Sequence, residues 1–209
     1  AGECENSEAP QVNILIDREK NTLTISDNGI GMSDEEIKKY INQVAFSSAE
    51  EFLEKYKKDN DEFIGHFGLG FYSSFMVSEK VEIITKSAVK NDKAFRWSCD
   101  GSPSFILEEN EREDVGTDVI LHLLEEEKEF IEPARIKSLI KKYCDFMPID
   151  VLLEGEVINK KNPPWRKSST DLKDEDYVEL YKYLYPFQGD PLMWIHLNTD
   201  FPYNLQGIL

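Results

Sequence analysis

The stretch Asp27-Asn28-Gly29-Ile30-Gly31-Met32 is predicted to lie between the end of a strand and the start of a helix, and it is the segment that says most about the fold. Apolar and polar residues alternate over Val12–Ile16 and Leu23–Ile25, which predicts a hairpin. Ser33 and Glu36 have the spacing of a helix capping box. A carboxylate at a strand end can accept a hydrogen bond from an exocyclic amine, and glycines let a flat base approach the backbone. A solvated turn stays open as the alternative, because Asp-Asn-Gly is common turn chemistry.

A second glycine group, Gly65-x-x-Gly68-x-Gly70, stands directly before the apolar segment Phe71–Val77, for which we predict a helix. Free N–H groups at a helix start favour anions, and glycines let the backbone wrap phosphate oxygens. The spacing resembles a dinucleotide fingerprint, but that fold needs the motif inside a parallel βαβ unit. Here a helix and a polar linker precede it and antiparallel strands follow, so a dinucleotide fold is disfavoured. A flexible loop before a buried helix is the alternative.

Strands are predicted next, separated by short turns that favour an antiparallel meander, at Val81–Lys86, Ala94–Cys99, Ser104–Glu108 and Thr117–Leu123. Gly116-Thr117 begins the last of them. The hydroxyl group of Thr117 could complete an adenine pocket through a water molecule. A β-branched residue that simply starts a strand is the alternative.

The polar run 154–162 and the stiff pair Pro163-Pro164 predict a domain boundary. A helix from Pro133 and a short strand at 149–153 come before this boundary. We therefore expect a first domain at 1–153, a short linker at 154–162 and the beginning of a second domain at 163–209. One helix over Lys173–Tyr185 and one or two strands are too little to close a core, so we expect the second domain to continue elsewhere.

The composition excludes several classes of protein. The chain has 209 residues, of which 40% are hydrophobic, and a formal net charge of −17, as in an ordinary acidic globular protein. Such a charge repels phosphate backbones, so no nucleic-acid partner is expected. No apolar run approaches the roughly 20 residues that span a bilayer, so no membrane partner is expected either. Three scattered cysteines argue for a reducing compartment, which we take to be the cytoplasm.

The order of the three motifs is more specific than any one of them. Asp-x-Gly-x-Gly, then Gly-x-x-Gly-x-Gly, then Gly-Thr on a late strand is the order found in the gyrase, heat-shock chaperone, histidine kinase and MutL ATPase superfamily. Five longer stretches resemble the ninety-kilodalton heat-shock chaperone family in its bacterial HtpG branch: Asp27–Met32, Ile64–Ser73, Tyr143–Ile149, Asn162–Trp165 and Trp194–Asn198. The resemblance runs over nearly the whole chain.

This resemblance implies a fold, a ligand and a set of site residues. The fold would be an α/β two-layer sandwich, a mostly antiparallel mixed sheet covered by helices, plus the start of an α/β middle domain. The ligand would be ATP with Mg²⁺, and ADP after hydrolysis. Asp27 would bind the adenine amino group, Gly31 and Met32 would line the base, Thr117 would lie beside it, and Gly65, Gly68, Gly70 and Phe71 would sit on the phosphates. The intact protein would be a homodimeric stress-response chaperone that hydrolyses ATP and acts on unfolded client proteins.

The chain also departs from the family pattern. In this family an early helix carries a general-base Glu and an Asn that holds magnesium. No Glu-x-x-x-Asn helix precedes Val12, and the chain does not begin with Met. We therefore expect a fragment that lacks the first strand and this helix, has no catalytic or metal-binding residue of its own, and does not hydrolyse ATP alone. Two alternatives are a MutL-like or kinase member of the superfamily and a non-catalytic interaction fragment.

Overall fold

The computed structural model describes residues 9–42, 70–89, 91–201 and 205–209. They fall into two compact units. The first unit comprises Ala1–Cys144 and Ile149–Asn159, and the second comprises Asp145–Pro148 and Lys160–Leu209.

The first unit is built on an eight-stranded sheet. Its strands are β1 (Gln11–Asp17), β2 (Thr22–Asp27), β3 (Ser78–Lys86), β4 (Ala94–Cys99), β5 (Ile106–Asn110), β6 (Gly116–Leu123), β7 (Asp150–Leu153) and β8 (Glu156–Val157). The spatial order is β5-β4-β3-β6-β2-β1-β7-β8, and only the β1–β7 pair is parallel. The helices among its described residues are α1 (Asp34–Tyr40), α2 (Pro133–Tyr143) and two 3-10 helices, Gly70–Met76 and Glu125–Ile131. The predicted fold class, a mostly antiparallel mixed sheet with helices, is confirmed.

The predicted simple meander is wrong at its last step. Strands β3, β4 and β5 pair in succession, but β6 does not continue beside β5. It returns across the sheet and pairs with β3 on one side and β2 on the other. The consequence is that the ends of β2, β6 and β3 lie next to one another.

The predicted helix at Phe71–Val77 forms as a 3-10 helix, Gly70–Met76. Two serine hydroxyl groups also bond within this helix, and each donates to the carbonyl group three residues before it. Ser73 donates to Gly70 at 2.6 Å, and Ser74 donates to the carbonyl of residue 71 at 2.6 Å. Such local bonds compete with the regular α-helical pattern.

The capping box predicted for α1 is confirmed. The hydroxyl group of Ser33 accepts from the backbone N–H of Glu36 at 3.3 Å, and the carboxylate of Glu36 accepts from the backbone N–H of Ser33 at 2.9 Å. Ile37, in the same helix, is fully buried. The core of the unit combines such helix residues with alternate strand residues, including Val81, Ile83, Trp97, Leu121, Ile136, Ile140, Val151 and Leu153.

The second unit contains α3 (Asp174–Leu184) and a two-stranded sheet of β9 (His196–Thr199) and β10 (Leu205–Ile208). Two short 3-10 helices, Pro164–Arg166 and Ser169–Asp171, precede α3. The buried side chain of Tyr177 stacks on Trp194 with 5.3 Å between ring centroids. Among the described residues of both units, no helix is long and apolar enough to cross a membrane.

Candidate functional site

Strand register brings Asp27, Thr117 and Thr85 into one row. Asp27 of β2 is the cross-strand partner of Thr117 of β6, and Thr117 is the partner of Thr85 of β3. Residues opposite one another in neighbouring strands project from the same face of a sheet, with Cβ atoms about 4.5–5.5 Å apart. A carboxylate and two hydroxyl groups therefore lie side by side where the strands β2, β6 and β3 end.

The hydroxyl group of Thr85 is the junction of this site. Thr85 is fully buried, and its oxygen lies 2.9 Å from the backbone nitrogen of Met32. The same oxygen lies 3.0 Å from the hydroxyl oxygen of Thr117 and 3.1 Å from the carbonyl oxygen of Gly116. One side chain of β3 thus ties the 27–32 loop to the first residues of β6.

The 27–32 loop passes so close to β3 that position 31 admits no side chain. Gly31 has φ +62°, and a Cβ atom there would lie 1.9 Å from the carbonyl oxygen of Lys86. The backbone N–H of Ala88 donates to the carbonyl of Ile30 at 2.7 Å and holds the loop in this position. Glycine is required here by both the left-handed backbone and the close approach.

The other side of the loop is fixed to β1. The side-chain oxygen of Asn28 accepts from the backbone N–H of Gln11 at 2.9 Å, and its side-chain nitrogen donates to the carbonyl of Ala9 at 2.9 Å. With bonds to β1 and β3, the loop is positioned before any ligand arrives, which lowers the entropy cost of binding.

The carboxylate of Asp27 lies in a partly buried, polar setting. Burial raises its pKa, and this effect is opposed by the backbone N–H of Gly29, which donates to Oδ1 at 2.8 Å, and by the nearby charge of Arg112. The charge of Asp118 acts in the same direction as burial. Arg112 lies 2.5 Å from Asp118, to which Ser26 also donates at 2.6 Å. The site therefore contains an acceptor that is partly withdrawn from water.

Phe71 lies in an aromatic cluster. Its ring meets those of Trp97, Tyr72 and Phe75 edge to face, with centroid distances of 5.6, 5.7 and 6.1 Å. Gly70 begins the 3-10 helix that carries this ring, and nothing lies within 4 Å of a Cβ atom placed there. The cluster lies on the face that carries the Asp27 row, because Trp97 is two residues from the strand partner of Thr85.

The structure brings together four of the eight predicted site residues, namely Asp27, Gly31, Met32 and Thr117. Phe71 lies beside Trp97, Gly70 is the residue before it in the 3-10 helix, and Gly65 and Gly68 lie outside the described residues. Sequence reasoning missed Thr85. Its signal was a hydroxyl-bearing residue in phase with the buried residues Val81 and Ile83.

No cluster of three or more His, Cys, Asp or Glu side chains within the described ranges could hold a metal ion. The carboxylate of Asp27 and the hydroxyl oxygen of Thr117, which lie opposite each other in β2 and β6, can accept protons from a group such as a heterocyclic amine.

Comparison with known proteins places the chain in a family. Residues 4–111 match the family model described as histidine kinase-, DNA gyrase B-, and HSP90-like ATPase. The chain belongs to this ATPase family, in its HtpG branch. It is 50% identical to the chaperone protein HtpG of Porphyromonas gingivalis over 95% of this chain and 31% of that relative. It is 53% identical to that of Bacteroides fragilis, over 91% of this chain and 30% of the relative.

A more distant relative gives the same picture. The chaperone protein HtpG of Fusobacterium nucleatum is 40% identical over 91% of this chain and 32% of the relative. The chain spans about a third of the length of the curated relatives it matches.

Proposed function

We propose that the intact protein is an ATP-dependent molecular chaperone and that residues 1–153 supply its nucleotide-binding domain. One observation carries the proposal: in a member of this ATPase family, Asp27 and Thr117 are cross-strand partners beside a loop in which Gly31 leaves no room for a side chain. In this role Asp27 accepts a hydrogen bond from the adenine amino group, while Gly31 and Met32 line the base. Thr117 lies beside the base, and Gly65, Gly68, Gly70 and Phe71 serve the phosphates.

The remaining parts of the proposal concern the whole protein. Residues 154–162 connect the nucleotide domain to a middle domain that starts at 163. The intact protein hydrolyses ATP, acts as a homodimer in the cytoplasm and binds unfolded client proteins, in keeping with its HtpG relatives. Magnesium would neutralise the phosphate charge of bound ATP. Because the described residues include no metal-binding cluster, we assign no residue to it.

Asp27→Asn tests the nucleotide site directly. The substitution keeps an oxygen that accepts from the N–H of Gly29. It removes the negative charge and one of the two carboxylate oxygens that could accept from the base. A hydrogen bond to a charged group contributes about 1.5–3 kcal/mol, so we expect the dissociation constant for ATP to rise about 10- to 100-fold. Titration calorimetry, or ligand-observed NMR if binding is weak, measures this change.

Asp100→Asn is the control, because Asp100 lies directly after β4 and also binds the backbone N–H two residues further on. Its Oδ1 accepts from the backbone N–H of Ser102 at 3.0 Å, as Asp27 accepts from Gly29. ATP affinity should not change in this variant. Binding that is unaffected by Asp27→Asn, or equally weakened by Asp100→Asn, contradicts the proposed site.

Stability and binding are separable at Asp27. Burial raises the pKa of this carboxyl group, so its ionisation opposes folding above the ordinary value of 3.8. Asp27→Asn should therefore not lower the melting temperature at neutral pH, and a loss of binding cannot be assigned to unfolding. Circular dichroism melts of both variants check this expectation.

A further inference from the structure

The hydroxyl group of Thr85 has more partners than protons. It contacts the N–H of Met32, the carbonyl oxygen of Gly116 and the hydroxyl group of Thr117. An N–H can only donate and a carbonyl can only accept, whereas a hydroxyl group has one proton and two lone pairs. The direction of the Thr85–Thr117 bond therefore depends on where the single proton of Thr85 goes.

Two arrangements are possible, and they differ in the number of bonds. If Thr85 donates to Gly116, Thr117 donates its own proton to Thr85, and three hydrogen bonds form. If Thr85 donates to Thr117, the carbonyl of Gly116 receives nothing from it, and two bonds form. Thr85 is fully buried and Thr117 is 8% exposed, so water does not readily replace a missing bond. The first arrangement is the more stable one, and it leaves Thr117 with lone pairs but no proton for a ligand.

Asp27, which lies next to Thr117, is also a hydrogen-bond acceptor. An ionised carboxylate is an acceptor only, and Asp27 is the direct cross-strand partner of Thr117. The edge of the sheet at β2 and β6 thus offers acceptors from two adjacent side chains. A ligand group that meets this edge has to supply protons. An amino group at C6 of a purine carries two such protons, whereas an oxo group at C6 carries none and can only accept.

We propose that Thr85 is a specificity-determining positioning residue, which fixes the hydroxyl group of Thr117 as an acceptor and so selects 6-aminopurine over 6-oxopurine nucleotides. This inference rests on the proposed function. Thr85 acts through Thr117 and need not touch the nucleotide. A purely structural role for Thr85 has a different consequence, because a loosened site would weaken both nucleotides by the same factor.

The first measurement uses the unmodified chain and three nucleotides: ATP, N6-methyl-ATP and ITP, which offer two, one and no protons at the C6 substituent. Titration calorimetry or ligand-observed NMR gives the three dissociation constants. We expect affinity to fall in that order, with ITP at least about tenfold weaker than ATP, since an unmet acceptor costs about one order of magnitude. Equal affinity for ATP and ITP overturns the inference.

The second measurement changes Thr85. In Thr85→Val the proton of Thr117 loses its acceptor and can turn towards an oxo group, so the ratio of the ITP and ATP dissociation constants should fall about tenfold. Thr85→Ser keeps the hydroxyl group and should restore the ratio. Ile83→Val is the control, because Ile83 is a fully buried residue of the same strand and face without a hydroxyl group. Its ratio should equal that of the unmodified chain.

The outcomes separate the two proposals. If the unmodified chain binds no nucleotide, the proposed nucleotide site in residues 1–153 is contradicted, and the inference fails with it. If it binds ATP but Thr85→Val leaves the ratio unchanged, only the inference is overturned. If Thr85→Val does not fold, as circular dichroism would show, the nucleotide series and Thr85→Ser decide: a changed ratio in the serine variant overturns the inference.

Discussion

Gly31→Ala should be among the most destabilising single-methyl additions in the first unit. The added Cβ atom would lie 1.9 Å from the carbonyl oxygen of Lys86, whereas real Cβ contacts essentially never fall below 3.0 Å. The loop and β3 must therefore move apart by about 1 Å. This movement breaks two hydrogen bonds, from the backbone N–H of Ala88 to Ile30 and from that of Met32 to Thr85. Losing both bonds costs about 1–3 kcal/mol.

The left-handed backbone adds a second cost. A non-glycine residue at φ +62° loses about 1–2 kcal/mol relative to glycine. Together with the broken bonds, the expected loss in the free energy of unfolding is about 2–5 kcal/mol. Urea unfolding followed by circular dichroism measures it.

Gly155→Ala isolates the backbone term. Gly155 has φ +82°, but nothing lies within 4 Å of a Cβ atom placed there. This variant should therefore lose only about 1–2 kcal/mol. If Gly31→Ala costs no more than Gly155→Ala, the close approach of the loop to β3 is not rigid, and the reasoning about the site fails at its base.

Two further substitutions have a pH dependence of known sign. Burial alone would raise the pKa of Glu82, but hydrogen bonds from Lys80 and Arg96 lower it below its ordinary 4.5. Glu82→Gln should therefore destabilise the chain at neutral pH, and urea midpoints of the two proteins should converge as the pH falls below 4.5. In the second unit, Tyr183 donates to Asp145 at 2.6 Å, and burial followed by this partner raises the pKa of Tyr183 to about 12. Tyr183→Phe should cost about 1.5–3 kcal/mol below the ordinary pKa, and the difference should vanish as the pH rises from about 10 through about 12. A difference that persists at a pH above about 12, where Tyr183 is ionised, would contradict the assignment.

Local signals in the sequence were enough for most elements of the fold. The alternation around Asp17–Asn21 predicted the β1–β2 hairpin, and Ser33 with Glu36 predicted the start of α1. Pro133 predicted the start of α2. These features depend on residues a few positions apart, which is the range over which period and capping rules act.

Features that depend on distant residues were not predictable in the same way. Nothing near Thr117 shows that β6 pairs with β2 and β3 instead of β5, because register is set by the packing of whole strands. The role of Thr85 stayed hidden for the same reason, since its three partners come from two other segments of the chain. The motif residues Asp27, Gly31 and Thr117 could be predicted, because residue type and the order of the motifs along the chain were enough to identify them.

The return of β6 between β2 and β3 has a consequence for how the protein reaches its native state. Thr85 meets Met32 and Thr117 across sequence separations of 53 and 32 residues, so no local hairpin contains the site. Long loops must close before these contacts form, and such closure is slow relative to helix or hairpin formation. Nucleotide-binding competence should therefore emerge only in the last phase of refolding, after most secondary structure is present. A ligand that binds only this final arrangement would raise the free energy of unfolding of the whole sheet.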